Sequence, residues 1–185
     1  MNRFELNKQK IRNAFFGSAV TLILEKGYDA VTVSEICDLA DYGRSTFYLH
    51  FQNKEDLVWA ILKHNLSFMD KQVLDAVKAM ESPQREWTAW YTIFQTIPFQ
   101  RTFYLKLNGD LSLRLRQWQK QQLLTVFEAQ LREGIYSLLL DDIPPDIGAR
   151  FITGAILEVL EYWLMHPELG DPQTMATYFF RLGIA

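Results

Sequence analysis

The stretch TVSEICDLADYGRSTFYLHF, residues 32–51, contains two short helical patterns separated by a break. Thr32 and Glu35 have the three-residue spacing of a capping box, which begins a helix with one apolar face. Residues 41–43 interrupt that pattern, and a second helix is predicted over residues 44–51. Two short helices joined by a tight turn predict a helix-turn-helix, whose second helix enters the major groove of DNA.

The second predicted helix divides into faces of different chemistry when its residues are placed at about 100° intervals. Phe47 and Phe51 share one side and are expected to anchor the helix on the core. The remaining sides, with one residue just beyond the helix, carry the predicted DNA contacts: Arg44, Ser45, Thr46, Tyr48, Leu49, His50 and Lys54. Arg44 lies in the first turn and suits a guanine edge, whereas the tyrosine, histidine and lysine suit phosphates. The alternative, a simply buried helix, leaves these polar side chains without partners.

Helical periodicity continues on both sides of this motif. Residues 8–26 are predicted to form a helix with one buried stripe, and Gly27 supplies its left-handed C-terminal stop. Gly43 can serve as the N-cap of the second short helix. Residues 54–56 begin a longer apolar-periodic helix, with Glu55 and Asp56 supporting the dipole of its first turn. The two short helices are therefore supported by longer ones.

The segment GYDAVTVSEICDLADYGRSTFYLHFQNKEDL, residues 27–57, resembles the DNA-binding segment of the TetR (tetracycline-repressor-like) family of bacterial transcriptional regulators. The likeness is dense over about residues 10–62. It includes the Gly-Tyr after the first helix, the Thr-Val start of the second, the Tyr-x-His-Phe core and the Lys-Glu-Asp-Leu start of the fourth. The two C-terminal helical segments are similar to C-terminal domains common in Gram-positive members.

The resemblance implies a homodimer that binds a palindromic double-stranded DNA operator and dimerises through its last two long helices. In many members a small molecule in the C-terminal domain changes the separation of the recognition helices. Carried over by motif position, the implied DNA-contacting residues are Thr32, Arg44, Ser45, Thr46, Tyr48, His50 and Lys54. The chain departs from the family pattern at Asp41, where glycine is preferred, and at Gly43, where a serine cap is common.

Charge sets an expectation for how this segment would bind DNA. Residues 1–64 contain eight Lys/Arg and eight Asp/Glu, so the segment is formally neutral. Its cations are unevenly placed, because four of them lie between Arg3 and Arg12, while Arg44 and Lys54 flank the second short helix. Since affinity for DNA rests largely on phosphate neutralisation, this predicts few phosphate contacts and a shallow dependence of binding on salt.

The whole chain has 185 residues, of which 49% are hydrophobic, with a formal net charge of −3 and one cysteine. This is globular composition, and the single cysteine excludes an internal disulfide and favours a reducing compartment. The apolar run at residues 14–24 superficially resembles a secretory signal. It ends in Glu25-Lys26-Gly27 without a small-residue cleavage site, and it is too short to span a bilayer. We therefore expect a cytoplasmic protein.

Beyond residue 82 the predicted helices are longer and more aromatic. They cover residues 84–97, 99–108, 111–140, 147–165 and 172–182, the last ending at Gly183. With no convincing strand pattern, the predicted fold is all-α. It comprises an N-terminal three-helix helix-turn-helix DNA-binding domain over residues 1–64 and a C-terminal helical bundle for ligand binding and dimerisation over residues 65–185.

The C-terminal half offers two candidate surfaces. Its last two helices are too apolar for free surfaces, which predicts a dimer interface with these residues: Phe151, Gly154, Ala155, Tyr162, Trp163, Tyr178, Phe179 and Leu182. Aromatic residues earlier in this half could line an apolar effector pocket: Trp87, Trp90, Tyr91, Phe94, Phe103, Tyr104, Trp118 and Phe127. An aromatic stripe at helical spacing also forms a packed core, so both interpretations stand for this second set.

Other kinds of site lack their patterns in the sequence. His50, His64 and His166 are scattered without metal-ligand spacing, Cys37 has no resolving thiol, and no nucleophile motif or phosphate-binding glycine loop occurs. We therefore expect no cofactor and no enzyme activity. The preferred hypothesis is a homodimeric DNA-binding transcriptional regulator, a repressor by analogy, with release from the operator by a small apolar effector as an open possibility. The alternative is a helical ligand-binding or interaction protein with weak or lost operator binding.

Overall fold

The computed structural model describes residues 2–133 and 143–182, except for the side chains of residues 97–101 and 130, and it is helical in both ranges. The helices are α1 (Arg3–Lys26), α2 (Val33–Ala40), α3 (Arg44–His50), α4 (Lys54–Val77), α5 (Gln84–Leu105), α6 (Gly109–Arg132), α7 (Pro145–Met165) and α8 (Pro172–Arg181), with a 3-10 turn at Pro167–Leu169. The predicted all-α class is confirmed.

Capping residues explain where several helices begin. The Asn2 side chain accepts a hydrogen bond from the backbone N–H of Glu5 at 2.8 Å, so α1 begins five residues earlier than periodicity predicted. Asn53 caps α4 in the same way by accepting from Asp56 N–H at 2.8 Å. Asp171 accepts from Thr174 N–H at 2.8 Å and sets the start of α8, as predicted. Each cap satisfies a backbone donor that the helix itself leaves free.

Two further predicted segments can be compared with the structure. α5 runs without a break through Pro98, where the sequence predicted two separate pieces. A proline inside a helix removes one backbone hydrogen bond, but packing of the helix elsewhere can offset that cost. α6 ends at Arg132. The remainder of its predicted extent, to residue 140, and the predicted stop at Gly183 lie outside the described residues.

The helices form two compact units. The first contains Met1–Asp70 together with Thr102–Asn108, and the second contains Lys71–Arg101 with Gly109–Ala185. The first unit therefore includes a short segment from far along the chain. The proposed functional boundary after residue 64 stays a prediction.

The core of the first unit is built around Phe15 of α1. Its ring meets the edge of Phe47 at 5.4 Å and that of Phe51 at 6.1 Å, and all three side chains are buried. Such edge-to-face pairs add stabilisation beyond the area they bury. Leu57 and Ile61 of α4 are also buried, so α1, α3 and α4 share this core.

The core of the second unit is aromatic and draws on α5, α6, α7 and α8. The Phe179 ring lies 4.9 Å from those of both Trp90 and Phe94. Trp163 meets Phe94 edge-on at 5.3 Å and donates its indole N–H to the carbonyl of Gly170 at 2.9 Å. A buried tryptophan with a satisfied N–H is well suited to such a core. Among the helices that the structure describes, none combines the length and apolar character needed to cross a membrane.

Candidate nucleic-acid interface

The turn between α2 and α3 depends on one residue with an unusual backbone. Asp41 adopts the left-handed conformation with φ 57°, and the backbone N–H of Tyr42 donates to the carbonyl of Cys37 at 3.2 Å. Gly43 then precedes α3 in an extended conformation, without a side-chain cap. The predicted helix-turn-helix is confirmed, with an acidic residue in the left-handed position that glycine occupies at least cost.

α3 is anchored by its aromatic side, as its periodicity predicted. Phe47 is fully buried against Phe15, and Phe51 follows the helix in the same core. The opposite side is open: Arg44 and Ser45 are exposed, Tyr48 is exposed beside the anchored Phe47, and Leu49 is 83% exposed. Thr46 is half-buried. A seven-residue helix thus presents a mixed polar and apolar edge while its rings hold it in place.

The structure places Arg44 beside α2. Its Nη2 donates to the hydroxyl oxygen of Ser34 at 2.7 Å, across ten residues of sequence. Sequence reasoning identified Arg44 but not Ser34, because nothing in the spacing of the two residues reveals a contact between side chains of different helices. Arg44 as a residue is exposed to solvent.

Thr32 performs the capping role that its spacing predicted. Its hydroxyl donates to Glu35 Oε2 at 2.8 Å and accepts from Glu35 N–H at 3.3 Å, and its own backbone N–H donates to the same carboxylate at 2.9 Å. Glu35 also pairs with the ammonium of Lys26. The Lys26 hydrogen bond, followed by those from Thr32, lowers the pKa of Glu35 to about 2. The hydroxyl predicted to contact DNA is therefore occupied within the domain.

His50 is half-buried between α3 and α1. Its ring lies 6.5 Å from that of Phe15 and 6.1 Å from that of Phe51. Burial lowers the pKa of this histidine, and the cations of Arg12 and Lys8 act in the same direction. Its Nδ1 is buried without a hydrogen-bond partner in the described part of the chain. A neutral ring is therefore favoured, and a neutral ring still has one N–H to donate to a phosphate.

Lys54, also predicted to contact phosphate, is engaged within the first unit. Its ammonium donates to the carbonyls of Tyr28 at 2.6 Å and Val31 at 2.7 Å, and it lies 4.1 Å from the centre of the Tyr28 ring. Burial lowers the pKa of this lysine. Two backbone acceptors and an aromatic face hold the charge at the loop between α1 and α2, which favours a structural role.

Three exposed cations lie near the start of α1. Arg3, Lys8 and Lys10 are exposed, whereas Arg12 lies over the Phe51 ring at 4.9 Å and over the Phe16 ring at 5.5 Å. The cluster expected from the sequence is therefore split into three solvated cations and one packed against aromatic side chains. The expectation of few phosphate contacts stays a prediction.

A second feature missed from the sequence is the segment that returns to the first unit at the end of α5. The backbone N–H of Tyr28 donates to the carbonyl of Lys106 at 2.9 Å, and Asn108 Nδ2 donates to Asp29 Oδ1 at 3.0 Å. Phe103, a predicted pocket residue, is buried in this unit. No local pattern could reveal a contact across more than seventy residues.

The predicted pocket residues are divided between the two units. Trp90, Phe94 and Phe127 are buried in the core of the second unit, and Trp87, Tyr91 and Trp118 are half-buried in that unit. The ring of Trp87 stacks on that of Tyr91 at 5.1 Å. Phe103 and Tyr104 belong to the first unit. Six of the eight therefore belong to the second unit, and the pocket stays a prediction.

The predicted interface residues separate into exposed and buried groups. Phe151 is 70% exposed, and Gly154, Tyr162, Tyr178 and Leu182 are exposed as well, with Ala155 half-buried. Trp163 and Phe179 are buried in the core of their own unit. On α7 the exposed apolar side chains also include Ile147 and Met165, and a Cβ built on Gly154 meets nothing within 4 Å. We name this surface, Ile147, Phe151, Gly154, Tyr162, Met165, Tyr178 and Leu182, the α7/α8 face.

Metal and thiol chemistry find little support in the described residues. No group of three or more His, Cys, Asp or Glu side chains is placed to hold a metal ion there. Cys37 is buried, and burial raises the pKa of its thiol, which disfavours the reactive thiolate.

Comparison with known proteins gives consistent matches. Residues 17–61 match the family model described as bacterial regulatory proteins, tetR family. The fatty acid metabolism regulator protein of Bacillus subtilis (strain 168) is 25% identical over 162 residues, 83% of this chain and 84% of that protein. The HTH-type transcriptional regulator YhgD of the same organism is 26% identical over 160 residues, 81% and 82% of the two chains.

A solved structure, the transcriptional regulator FadR from Bacillus subtilis in complex with stearoyl-CoA, has the same fold. The TM-score is 0.65 at 19% identity, and the match covers 93% of this chain and 97% of that chain. The family model matches the segment that contains α3, whose aromatic side is anchored and whose opposite edge is open. The two relatives and the solved structure match most of the chain.

Proposed function

We propose that the chain, whose residues 17–61 match the model of the tetR family of bacterial regulatory proteins, is a DNA-binding transcriptional regulator that acts in the cytoplasm as a homodimeric repressor of a palindromic operator. The family is one of regulators rather than enzymes. The observation that carries the proposal is the open edge of α3, where Arg44, Ser45, Tyr48 and Leu49 are exposed while Phe47 is fully buried. An anchored short helix with such an edge can enter the major groove.

Each exposed side chain of α3 suits a different part of DNA. The free edge of the Arg44 guanidinium can donate to O6 and N7 of a guanine, and Leu49 can contact a thymine methyl group. The hydroxyl groups of Ser45 and Tyr48 can donate to base edges or phosphates. The exposed Arg3, Lys8 and Lys10 supply phosphate neutralisation.

We infer that dimerisation uses the α7/α8 face. Its exposed apolar side chains lie on the side of α7 opposite the buried Ile152, Ile156 and Trp163. A two-fold axis through this face would bring the same apolar patch of two subunits together. Open space at Gly154 would allow the two helices to approach closely.

We further propose that the effector is a long-chain acyl-CoA. The support is the fold shared with a FadR solved with stearoyl-CoA, together with the aromatic composition of the second unit. Thr153 is fully buried in this unit, and its hydroxyl lacks a hydrogen-bond partner among the described residues. A buried hydroxyl without a partner is costly, and a polar group of a bound ligand would satisfy it.

The test of operator binding is selection of bound sequences from random duplex DNA by the full-length protein. We expect an enriched palindrome whose half-sites share a guanine, and Arg44→Ala should relax the preference at that base pair alone, by about 1–3 kcal/mol. No enrichment would favour the alternative, a ligand-binding protein without operator affinity, which the neutral charge of residues 1–64 and the acidic Asp41 support.

The effector is tested on the selected operator. Stearoyl-CoA should release the protein from DNA and raise its melting temperature at micromolar concentration, whereas free CoA should do neither. Equal effects of stearoyl-CoA and CoA would rule out the acyl chain as the determinant. No effect of either would remove this effector class and leave operator binding as the proposed function.

A further inference from the structure

We propose that Ser34 of α2 is a specificity-determining positioning residue, which holds the Arg44 guanidinium in the orientation that reads a base. This inference rests on the proposed function, because it concerns how α3 recognises its operator. Ser34 belongs to the first helix of the motif and is not among the residues that the resemblance implies as DNA contacts. Its role would be exerted through Arg44.

The contact that carries the inference joins the two helices of the motif. Arg44 Nη2 donates to Ser34 Oγ at 2.7 Å, a short charge-assisted hydrogen bond. Within the described residues, Ser34 is the hydrogen-bond partner that the structure gives Arg44. The charge of Arg44 also acts on the Cys37 thiol of α2, where it lowers the pKa against the larger effect of burial. The hydrogen bond to Ser34 places the guanidinium along α2.

The start of α3 has few other means of ordering this side chain. Gly43 makes no side-chain cap, and Arg44 is the first residue of the helix and exposed. A free arginine side chain has many rotamers, and part of that freedom must be lost when it docks on a base. A hydrogen bond to a residue of the neighbouring helix removes part of that freedom before DNA arrives.

The geometry leaves Arg44 able to read a base while it is held. A guanidinium has five N–H donors, and one bond to Ser34 leaves four for a two-point contact with guanine. Ser34 accepts in this contact, so its own hydroxyl proton remains available to donate. The held orientation fixes which edge of the guanidinium faces outward, and this edge determines which base can be matched.

The test compares four full-length proteins on the selected operator: wild type, Ser34→Ala, Arg44→Ala and the double variant. Dissociation constants are measured for the operator and for a version changed at the base pair whose preference Arg44→Ala relaxes. We expect Ser34→Ala to reduce the ratio of these constants by about twofold to tenfold, the effect of losing one hydrogen bond. In the Arg44→Ala background the same change should have no effect on the ratio.

Matched variants separate positioning from folding and from general affinity. Ser34→Thr keeps the hydroxyl and should retain the wild-type ratio, and Ser67→Ala removes an exposed hydroxyl of α4 and should also retain it. The melting temperature and the salt dependence of Ser34→Ala should match those of the wild type. A loss of affinity that is equal for both operators would show a phosphate contact by Ser34 instead and overturn the inference.

Failure of the inference and failure of the proposed function give different results. Additive effects of Ser34→Ala and Arg44→Ala on the ratio would overturn the positioning role while operator recognition stands. The same holds if Ser34→Ala leaves the ratio unchanged. A wild-type protein that selects no sequence from random DNA would overturn the proposed function, and the inference with it.

Discussion

Asp41 brings two features to the turn before α3, a negative charge and a left-handed backbone conformation. It is exposed, negatively charged and held at φ 57°, a conformation that costs a non-glycine residue energy. Asparagine tolerates the same conformation without the charge. We expect Asp41→Asn to bind all duplex sequences more tightly by a similar factor, and to steepen the salt dependence, because one repulsive charge near the phosphates is removed.

Asp41→Gly separates charge from conformation in the same experiment. It removes both the charge and the backbone strain, so its DNA affinity should equal that of Asp41→Asn. Its free energy of unfolding should change as well, because glycine adopts the left-handed conformation at lower cost. Titrations by fluorescence anisotropy at several salt concentrations give the comparison. Unchanged affinity in both variants would show that Asp41 lies too far from DNA to act on it.

Glu35 links the stability of the motif to pH. Its folded-state pKa of about 2 lies below the ordinary value of 4.5, so the ionised carboxylate stabilises the folded state. This contribution is fully present above pH 4.5 and is lost as the pH falls toward 2. Glu35→Gln keeps the capping spacing but not the charge. We expect it to unfold more readily at pH 6 and to lose less stability than the wild type between pH 5 and 2.

Urea unfolding at pH 6, 4 and 2.5 measures this difference. Glu25→Gln provides the control, because it neutralises an exposed carboxylate of α1 on the residue next to Lys26. If both variants change the pH dependence equally, the effect comes from net charge and not from the contacts of Glu35 with Lys26 and Thr32.

At the level of elements, the loop between α1 and α2 is held from two sides. The Lys54 ammonium of α4 binds the carbonyls of Tyr28 and Val31, and the segment after α5 binds Tyr28 N–H and Asp29. This loop sets where α2 begins, and α2 in turn positions α3. The ends of α4 and α5 are thus part of the support for the recognition helix.

Lys54→Ala tests this support. Loss of two hydrogen bonds from a charged donor should lower the free energy of unfolding by about 1.5–3 kcal/mol. Lys63→Ala, on an exposed position of the same helix, should change it by less than about 0.5 kcal/mol. Chemical denaturation compares the two. A stable Lys54→Ala that weakens binding to all DNA sequences alike would restore the phosphate contact predicted from the sequence.

The sequence predicted those elements that depend on local chemistry. The capping box of Thr32, the cap at Asp171 and the aromatic anchor of α3 follow from spacing, since each joins residues within four positions of one another. Pro98 misled the prediction, because a local rule for helix ends does not include the tertiary packing of the rest of a helix. Ser34 with Arg44, and Lys54 with Tyr28, could not be predicted, since periodicity assigns faces without identifying what lies opposite them.

At the scale of the whole molecule, the α7/α8 face is a candidate interface, because several exposed apolar side chains lie together on it. Isolated exposed apolar residues are common, but here Ile147, Phe151, Tyr162 and Met165 follow one side of a single helix, with Tyr178 on α8 and Leu182 directly after it. A two-fold interface would use each side chain twice. The same helix buries its other side in the aromatic core, so the surface and the core are rigidly joined.

Phe151→Glu should therefore dissociate the dimer. Covering an aromatic side chain that is 70% exposed in one subunit is worth about 1.5–3 kcal/mol, and two copies double it. We expect a dissociation constant for dimerisation raised by at least about a hundredfold, measured by sedimentation at micromolar concentration. Leu113→Glu, at an exposed apolar position of α6, should remain dimeric.

Because a palindrome is bound by two recognition helices at once, the Phe151→Glu monomer should also lose operator affinity while its preference within one half-site is unchanged. A wild-type protein that sediments as a monomer would contradict this interface directly.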